Sequence, residues 1–229
     1  MEEFHKEVNM LSKFRDEYLI HYYGSVNIPN KICMITEYAK YGSILTMIKH
    51  QQRIENKMII KFMLDTSRGI KYLHSNGILH RDIKSDNVLI VSLNENDINC
   101  KLTDFGASRN ISMLQTNMTF TNGIGTPIYM SPECLNGEHY KLPSDIYSFS
   151  ILMYVTWIWK DRYPPTDPRF KFAWGIANFI TSGKRLSKPE DINDKYYEII
   201  ENSWKQNPKE RLTINEIEKE LNELYEFIN

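Results

Sequence analysis

The order in which hydrophobic periods appear along the chain constrains its fold more than any other feature. Apolar residues alternate or run together over 19–26 and 31–38, on either side of Ile28-Pro29-Asn30, which predicts a β-hairpin. Much later, residues 144–159, 170–182, 194–206 and 214–228 carry apolar positions at helical spacing. Between the two regimes, residues 106–130 are rich in Thr, Ser, Asn and Gly and have no clear period. Strands early and helices late predict an α+β fold. An irregular stretch of that length inside a compact domain is more often functional than idle.

Local signals place the remaining elements. The first fourteen residues read as a helix, with Phe4, Val8 and Leu11 on one face and Glu7 beside them. Ser43 is placed to cap a short helix running to about Gln51. From Asn56 to Ser75 the positions 59, 62, 63, 66, 70 and 73, apolar but for Thr66, follow a helical period, and Gly77 sits where a left-handed residue would end that helix. Short strands are expected at 88–91 and 98–102. The last helix opens on Thr213 with Glu216 three residues on, a capping box, and carries a stripe of Ile214, Ile217, Leu221, Leu224 and Ile228.

Composition narrows the function classes. A chain of 229 residues can bury one core, or two lobes sharing a cleft. A net charge of −1 gives no electrostatic case for nucleic acid or an anionic membrane surface. Cys33, Cys100 and Cys134 are odd in number and far apart, which fits a reducing compartment and argues against a disulfide framework or a zinc site. The histidines lack ligand spacing. The charged N-terminus is not a secretory signal, and the apolar run Ile146 to Trp159 is short and interrupted by Ser148, Ser150 and Thr156. A buried central helix and a soluble, cytoplasmic protein are the expectations.

Chemistry concentrates in Leu79 to Ile90, "LHRDIKSDNVLI". A short loop after a helix C-terminus can aim the Asp82 carboxylate, the Lys84 ammonium and the Asn87 carboxamide at one point. Phosphoryl transfer needs such a set: a carboxylate for the acceptor's proton, oxygen ligands for magnesium, and cations against the moving charge. Thr103-Asp104-Phe105-Gly106 then follows an expected strand, and "GTPIYMSPE" spans Gly125 to Glu133. Asp145 opens the apolar helix, and Arg211 lies in "NPKERLT". Alone, Asp104 is an ordinary turn residue and Asp145 an ordinary acid at a helix N-terminus. In this order, the four motifs resemble those of the eukaryotic protein kinase catalytic domain.

The resemblance covers nearly the whole chain and implies a bilobal kinase-like fold, with ATP and Mg as cofactors and a protein as substrate. It implies that Asp82 is the base, Lys84 leans on the γ-phosphate, and Asn87 and Asp104 bind the metal. Glu133 should pair with Arg211, with Ser131 standing where the family has Ala, and Asp145 should bond the catalytic-loop backbone. "ICMITEYAKYGSIL" is similar to the last upper-lobe strand and hinge, with Thr36 as gatekeeper, Glu37 to Ala39 presenting backbone groups to adenine, and Leu89 beneath the ring. Leu11, Tyr22, His80 and Phe105 match the apolar stack between lobes. Lys84 and Thr126, the latter expected to touch the catalytic pair, are the Ser/Thr-kinase choices. "TEYAKYGSI", "SDIYSFSI" and Trp204 resemble the tyrosine-kinase and tyrosine-kinase-like branches. Arg81 implies regulation by another kinase acting on the long loop, with Thr116, Thr119 and Thr121 as candidates and Thr119 and Thr121 favoured.

The departure lies at the front. Glu7 matches the Glu of the family's αC helix, but these residues hold no Gly-rich loop and no upper-lobe Lys to pair with it. The expected division is a partial upper lobe and hinge over 1–39 and a complete, mainly helical lower lobe over 40–229, with weak nucleotide binding and turnover for the chain as written. Two alternatives stand beside a Ser/Thr kinase: a kinase-like scaffold or pseudokinase that binds partners without catalysis, and a tyrosine-specific kinase.

Overall fold

A computed structural model describes residues 8–9, 11–28, 31–52, 54–105, 107–110, 127–160, 170 and 172–228. The architecture is α+β, with a small strand-containing part and a mainly helical portion. Among the described residues of the N-terminal segment, 8–9 and 11–13 are helical. Strands β1 (Tyr22–Ile28) and β2 (Lys31–Thr36) pair antiparallel, with Val26 opposite Cys33 and a bulge between Tyr22 and Gly24.

Helix α1 (Ile44–Lys49) starts where expected, because the Ser43 hydroxyl accepts the Thr46 N–H at 3.1 Å. It stops at Lys49, and Gln51 takes a left-handed φ of 51°. Helix α2 (Asn56–Ser75) follows its period from end to end, and Gly77 takes φ 70° as the chain reverses. Two-residue strand β3 (Ile78–Leu79) pairs with β6 (Arg109–Asn110), while β4 (Val88–Ser92) pairs with β5 (Asn99–Leu102). Neither β3 nor β6 is visible in the sequence, since two residues are too few to show a period.

Backbone bonds tie the segments flanking the hairpin to β4 and β5. Ile20 donates to the Leu102 carbonyl at 2.9 Å, and Leu102 donates back to Tyr18 at 2.8 Å. Beyond the hairpin, Ile90 donates to Gly42 at 2.8 Å. The Tyr18–Leu19 backbone also lies hard against α2, close to Gly69.

Helix α3 (Pro132–Leu135) is likewise too short to carry a period. Helix α4 (Leu142–Trp157) begins two residues before its expected start, because Pro143 fits the first turn. Every residue of α4 from Ser144 onward is buried. Its serines are accommodated locally: Ser150 donates to the Tyr147 carbonyl at 2.6 Å, and Ser148 to Tyr129 at 2.8 Å. This helix is the centre of the core, and no described helix is long and apolar enough to cross a membrane.

Helices α5 (Ala173–Thr181), α6 (Asp194–Ser203) and α7 (Ile214–Ile228) complete the fold. Thr213 and Glu216 form the expected capping box, with Glu216 N–H to Thr213 Oγ1 at 3.3 Å and Thr213 N–H to Glu216 Oε2 at 2.7 Å. On α7, Ile217, Leu221 and Leu224 are buried, each contributing roughly 1.5–3 kcal/mol. Arg68 and Lys71 of α2 both bond Glu218 on α7, at 3.3 and 3.1 Å.

Candidate active site

The loop after β3 is fastened from below by one carboxylate. Asp145, in the first turn of α4 and fully buried, accepts the backbone N–H of His80 at 3.0 Å and of Arg81 at 2.9 Å. Its other contacts are His74 Nε2 at 2.9 Å and the Tyr140 hydroxyl at 2.7 Å. Burial alone would raise the Asp145 pKa, but the bond and charge of His74, with the loop's donors, hold it below the usual carboxylate range. Arg81 is thereby kept at φ 72°, a conformation costly for a residue with a long side chain.

His80 joins this loop to the next one. Its ring is fully buried, and burial pushes its pKa below the ordinary value, so it is neutral. Nε2–H donates to the Thr103 carbonyl at 3.0 Å, while Nδ1 accepts the Asp82 N–H at 3.3 Å. The two bonds select one tautomer. Phe105 packs beside it with ring centroids 5.5 Å apart. A second tie runs from the Thr103 N–H to the Asn87 carbonyl at 2.9 Å, and Asp104 follows at φ 64°.

Asp82, Lys84 and Asn87 meet above this base. Asp82 Oδ2 accepts Lys84 Nζ at 2.6 Å and Asn87 Nδ2 at 3.1 Å. The same Asn87 amide donates to the Asp82 carbonyl at 2.8 Å, which fixes its flip and turns its own Oδ1 away. Asp82 and Lys84 keep 14% and 20% of their side-chain surface exposed, so a substrate can reach them although Asn87 is buried.

The expected adenine-side residues lie at the junction of the hairpin with β4 and β5. Thr36 ends β2 and is exposed, and Leu89 is half-buried on β4 opposite Lys101. Glu37 is anchored three ways: its N–H donates to the His21 carbonyl at 2.8 Å, and its Oε2 accepts Lys101 Nζ at 2.8 Å and the His21 N–H at 3.2 Å. Its N–H is therefore engaged within the fold. Ala39 accepts the Gly42 N–H at 3.2 Å, closing the turn into α1. Leu11, Phe105 and His80 are buried and Tyr22 is half-buried, the first two and Tyr22 within one apolar cluster.

At the far end of the long loop, Glu133 and Arg211 form a buried bidentate pair. Thr126, Gly106, Glu7 and the loop threonines Thr116, Thr119 and Thr121 lie outside the described residues. Among the described residues no cluster of three His, Cys, Asp or Glu side chains could hold a metal, so a cation here would need Asn87 and Asp104 with oxygens from a ligand. Sequence reasoning alone does not reach His74, Tyr140 or the Glu37–Lys101 tie. Each is a tertiary contact, and only the place of His74 in the last turn before the loop hints at its partner.

Known proteins resemble the chain over most of its length. The family model described as protein tyrosine and serine/threonine kinase matches residues 1–221. A probable serine/threonine-protein kinase of Dictyostelium discoideum, drkA, is 32% identical over 217 residues, which is 93% of this chain and 32% of that protein. A second probable serine/threonine-protein kinase of that organism, drkB, is 31% identical, with 93% of this chain and 30% of that protein covered. The Arabidopsis thaliana serine/threonine-protein kinase STY17 is 30% identical over 226 residues, 98% of this chain and 38% of that protein. The chain thus spans about a third of the length of these relatives.

Proposed function

The chain belongs to the protein tyrosine and serine/threonine kinase family, and from that premise we propose that it transfers the γ-phosphate of ATP to Ser or Thr hydroxyls of protein substrates. One observation carries the reading: Asp82 is gripped by Asn87 and Lys84 on a loop pinned at both ends, with Asp104 on the adjoining segment.

Asp82 Oδ1 has no bond among the described residues, so it is the oxygen that takes the proton of the acceptor hydroxyl, while Oδ2 stays fixed by its two donors. Lys84 bonds Asp82 Oδ2 and offsets charge on the transferring group. The Asn87 Oδ1 and the Asp104 carboxylate are hard oxygen donors of the kind magnesium takes, and these two residues would hold it. Bound there, the cation would neutralise phosphate charge. Thr36, Glu37, Ala39 and Leu89 line the adenine side, with the Glu37 carbonyl and the Ala39 N–H as the backbone groups offered. The resemblance assigns Thr126, outside the described residues, to the substrate side of the same pair.

Ser/Thr specificity and a place in the tyrosine-kinase-like branch rest on Lys84, on the motif "TEYAKYGSI", and on relatives whose names say serine/threonine. A regulatory kinase acting on Thr119 or Thr121 belongs to the same reading. Phosphoamino-acid analysis of peptides labelled by the protein decides the specificity. Phosphoserine and phosphothreonine are expected; phosphotyrosine would overturn it, and binding of partners without any transfer would favour a scaffold.

A further inference from the structure

We propose that the cavity between the end of α2 and the starts of α4 and α7 binds an aromatic carboxylate, a flat ring system carrying one anionic group. The inference goes beyond the transfer reading and does not depend on it.

The cavity measures about 520 Å³. That is within the roughly 300–1,000 Å³ typical of small-molecule sites, which pair apolar walls with a few polar groups. Leu142 and Ile146 of α4, with Leu212 and Ile214 at the entry to α7, supply the apolar walls. Pro143 and Pro208 add two rigid rings. Proline faces and aromatic rings suit each other, which is how Pro-rich segments dock into aromatic grooves, so a flat ring is the matching occupant.

The polar groups select an anion. No Asp or Glu is among the described residues that line the cavity, whereas Lys209 and Arg211 are. Arg211 is committed to Glu133 by two bonds. Lys209 is exposed and makes no ion pair among the described residues, so its ammonium is the charge left for a ligand. The acids nearby in the chain are already engaged. Both oxygens of Asp145, behind His74, are filled by four donors. Glu216 is held by the Thr213 N–H and hydroxyl, each at 2.7 Å.

His74 supplies an independent sign of an occupant. Its side chain is only 6% exposed, yet it lines the cavity. Nε2 is taken by Asp145 at 2.9 Å, while Nδ1 bonds no described residue. An unpaired polar atom on a side chain so deeply placed is costly unless something reaches it, and the cavity is the route by which a ligand can. Asp82, Asn87, Asp104 and Leu89 are not among the lining residues, so this site and the Mg-ATP site can be filled together.

The test titrates 2-naphthoate, with 2-naphthamide as its uncharged counterpart, into the protein expressed from its complete gene. The δ1-methyl NMR signals of Ile146 and Ile214 report from the cavity walls. Both are expected to shift saturably, with half-saturation at or below about 1 mM for naphthoate. Naphthamide should bind about threefold more weakly, and Lys209→Met should weaken naphthoate by about the same factor while leaving naphthamide unchanged. Saturating Mg-ATP should not displace the naphthoate. Lys209 is exposed, so its replacement leaves the fold intact, and none of these readouts needs phosphoryl transfer. Absence of a saturable shift at both methyls overturns the proposal. So does equal affinity for acid and amide, unchanged naphthoate affinity in Lys209→Met, or displacement by Mg-ATP.

Discussion

Arg211 holds Glu133 by two parallel hydrogen bonds, Nη1 to Oε1 at 2.8 Å and Nη2 to Oε2 at 2.7 Å, across a buried contact. Ser144 adds a third bond to Oε1 at 2.9 Å, and Arg211 also donates to the Pro143 carbonyl at 2.7 Å. The pair therefore joins the end of the long loop to the start of α4 and to the segment before α7.

Removing one partner leaves a buried, uncompensated charge. Arg211→Ala is expected to destabilise the fold by about 3–5 kcal/mol, and Arg211→Lys by less, since an ammonium cannot reproduce the fork. Urea denaturation measures both. Burial opposes ionisation of Glu133, but the bonds and charge of Arg211 outweigh it and its pKa is lowered. A lowered folded pKa contributes stability above the unfolded carboxylate value of about 4.3, and that stability is lost as pH falls through the folded one. Glu133→Gln should lack this acid-side loss.

Asp65 behaves in the opposite sense. It is fully buried on α2, with Lys61 at 2.7 Å from Oδ2 and the Cys100 N–H of β5 at 3.4 Å, and burial raises its pKa to about 6. The folded state then binds more protons than the unfolded one between the unfolded value and about 6, so stability falls as pH rises through that window. Crossing the whole window costs up to roughly 3 kcal/mol, since a tenfold change in proton concentration is worth roughly 1.4 kcal/mol for each proton released. Asp65→Asn is expected to remove that slope; urea midpoints measured across the window for both proteins check it.

Gly69 lies in the middle of α2, where helix propensity alone would favour Ala by about 1 kcal/mol. A Cβ there would stand 3.0 Å from the Tyr18 carbonyl oxygen and 3.4 Å from a Leu19 methyl. The carbonyl belongs to backbone already bonded to Leu102, so it cannot move away freely. Gly69→Ala should therefore destabilise by about 1–3 kcal/mol despite the propensity gain. A higher thermal midpoint for that variant would show that the α2 approach is looser than described.

What was legible in the sequence was local or periodic. The span of α2, the Ser43 cap, the Gly77 reversal and the Thr213–Glu216 box follow from residues within a few positions of one another, and the structure has them as read. The two-residue strands β3 and β6 gave no signal because pairing across some 30 positions is a tertiary event, in which Ile78 faces Asn110. The Asp82, Lys84 and Asn87 set could be read because all three lie on one short loop. His74, Tyr140 and the Glu37–Lys101 tie could not, because each depends on how separate elements are brought together.

The rate of γ-phosphate transfer to a Ser/Thr peptide, by wild type and by Asp82→Asn expressed from the complete gene, tests the central claim most directly. Wild type should transfer, and Asp82→Asn should bind Mg-ATP within about twofold of wild type yet transfer about 10²–10⁴-fold more slowly. Transfer by Asp82→Asn at the wild-type rate would contradict the account.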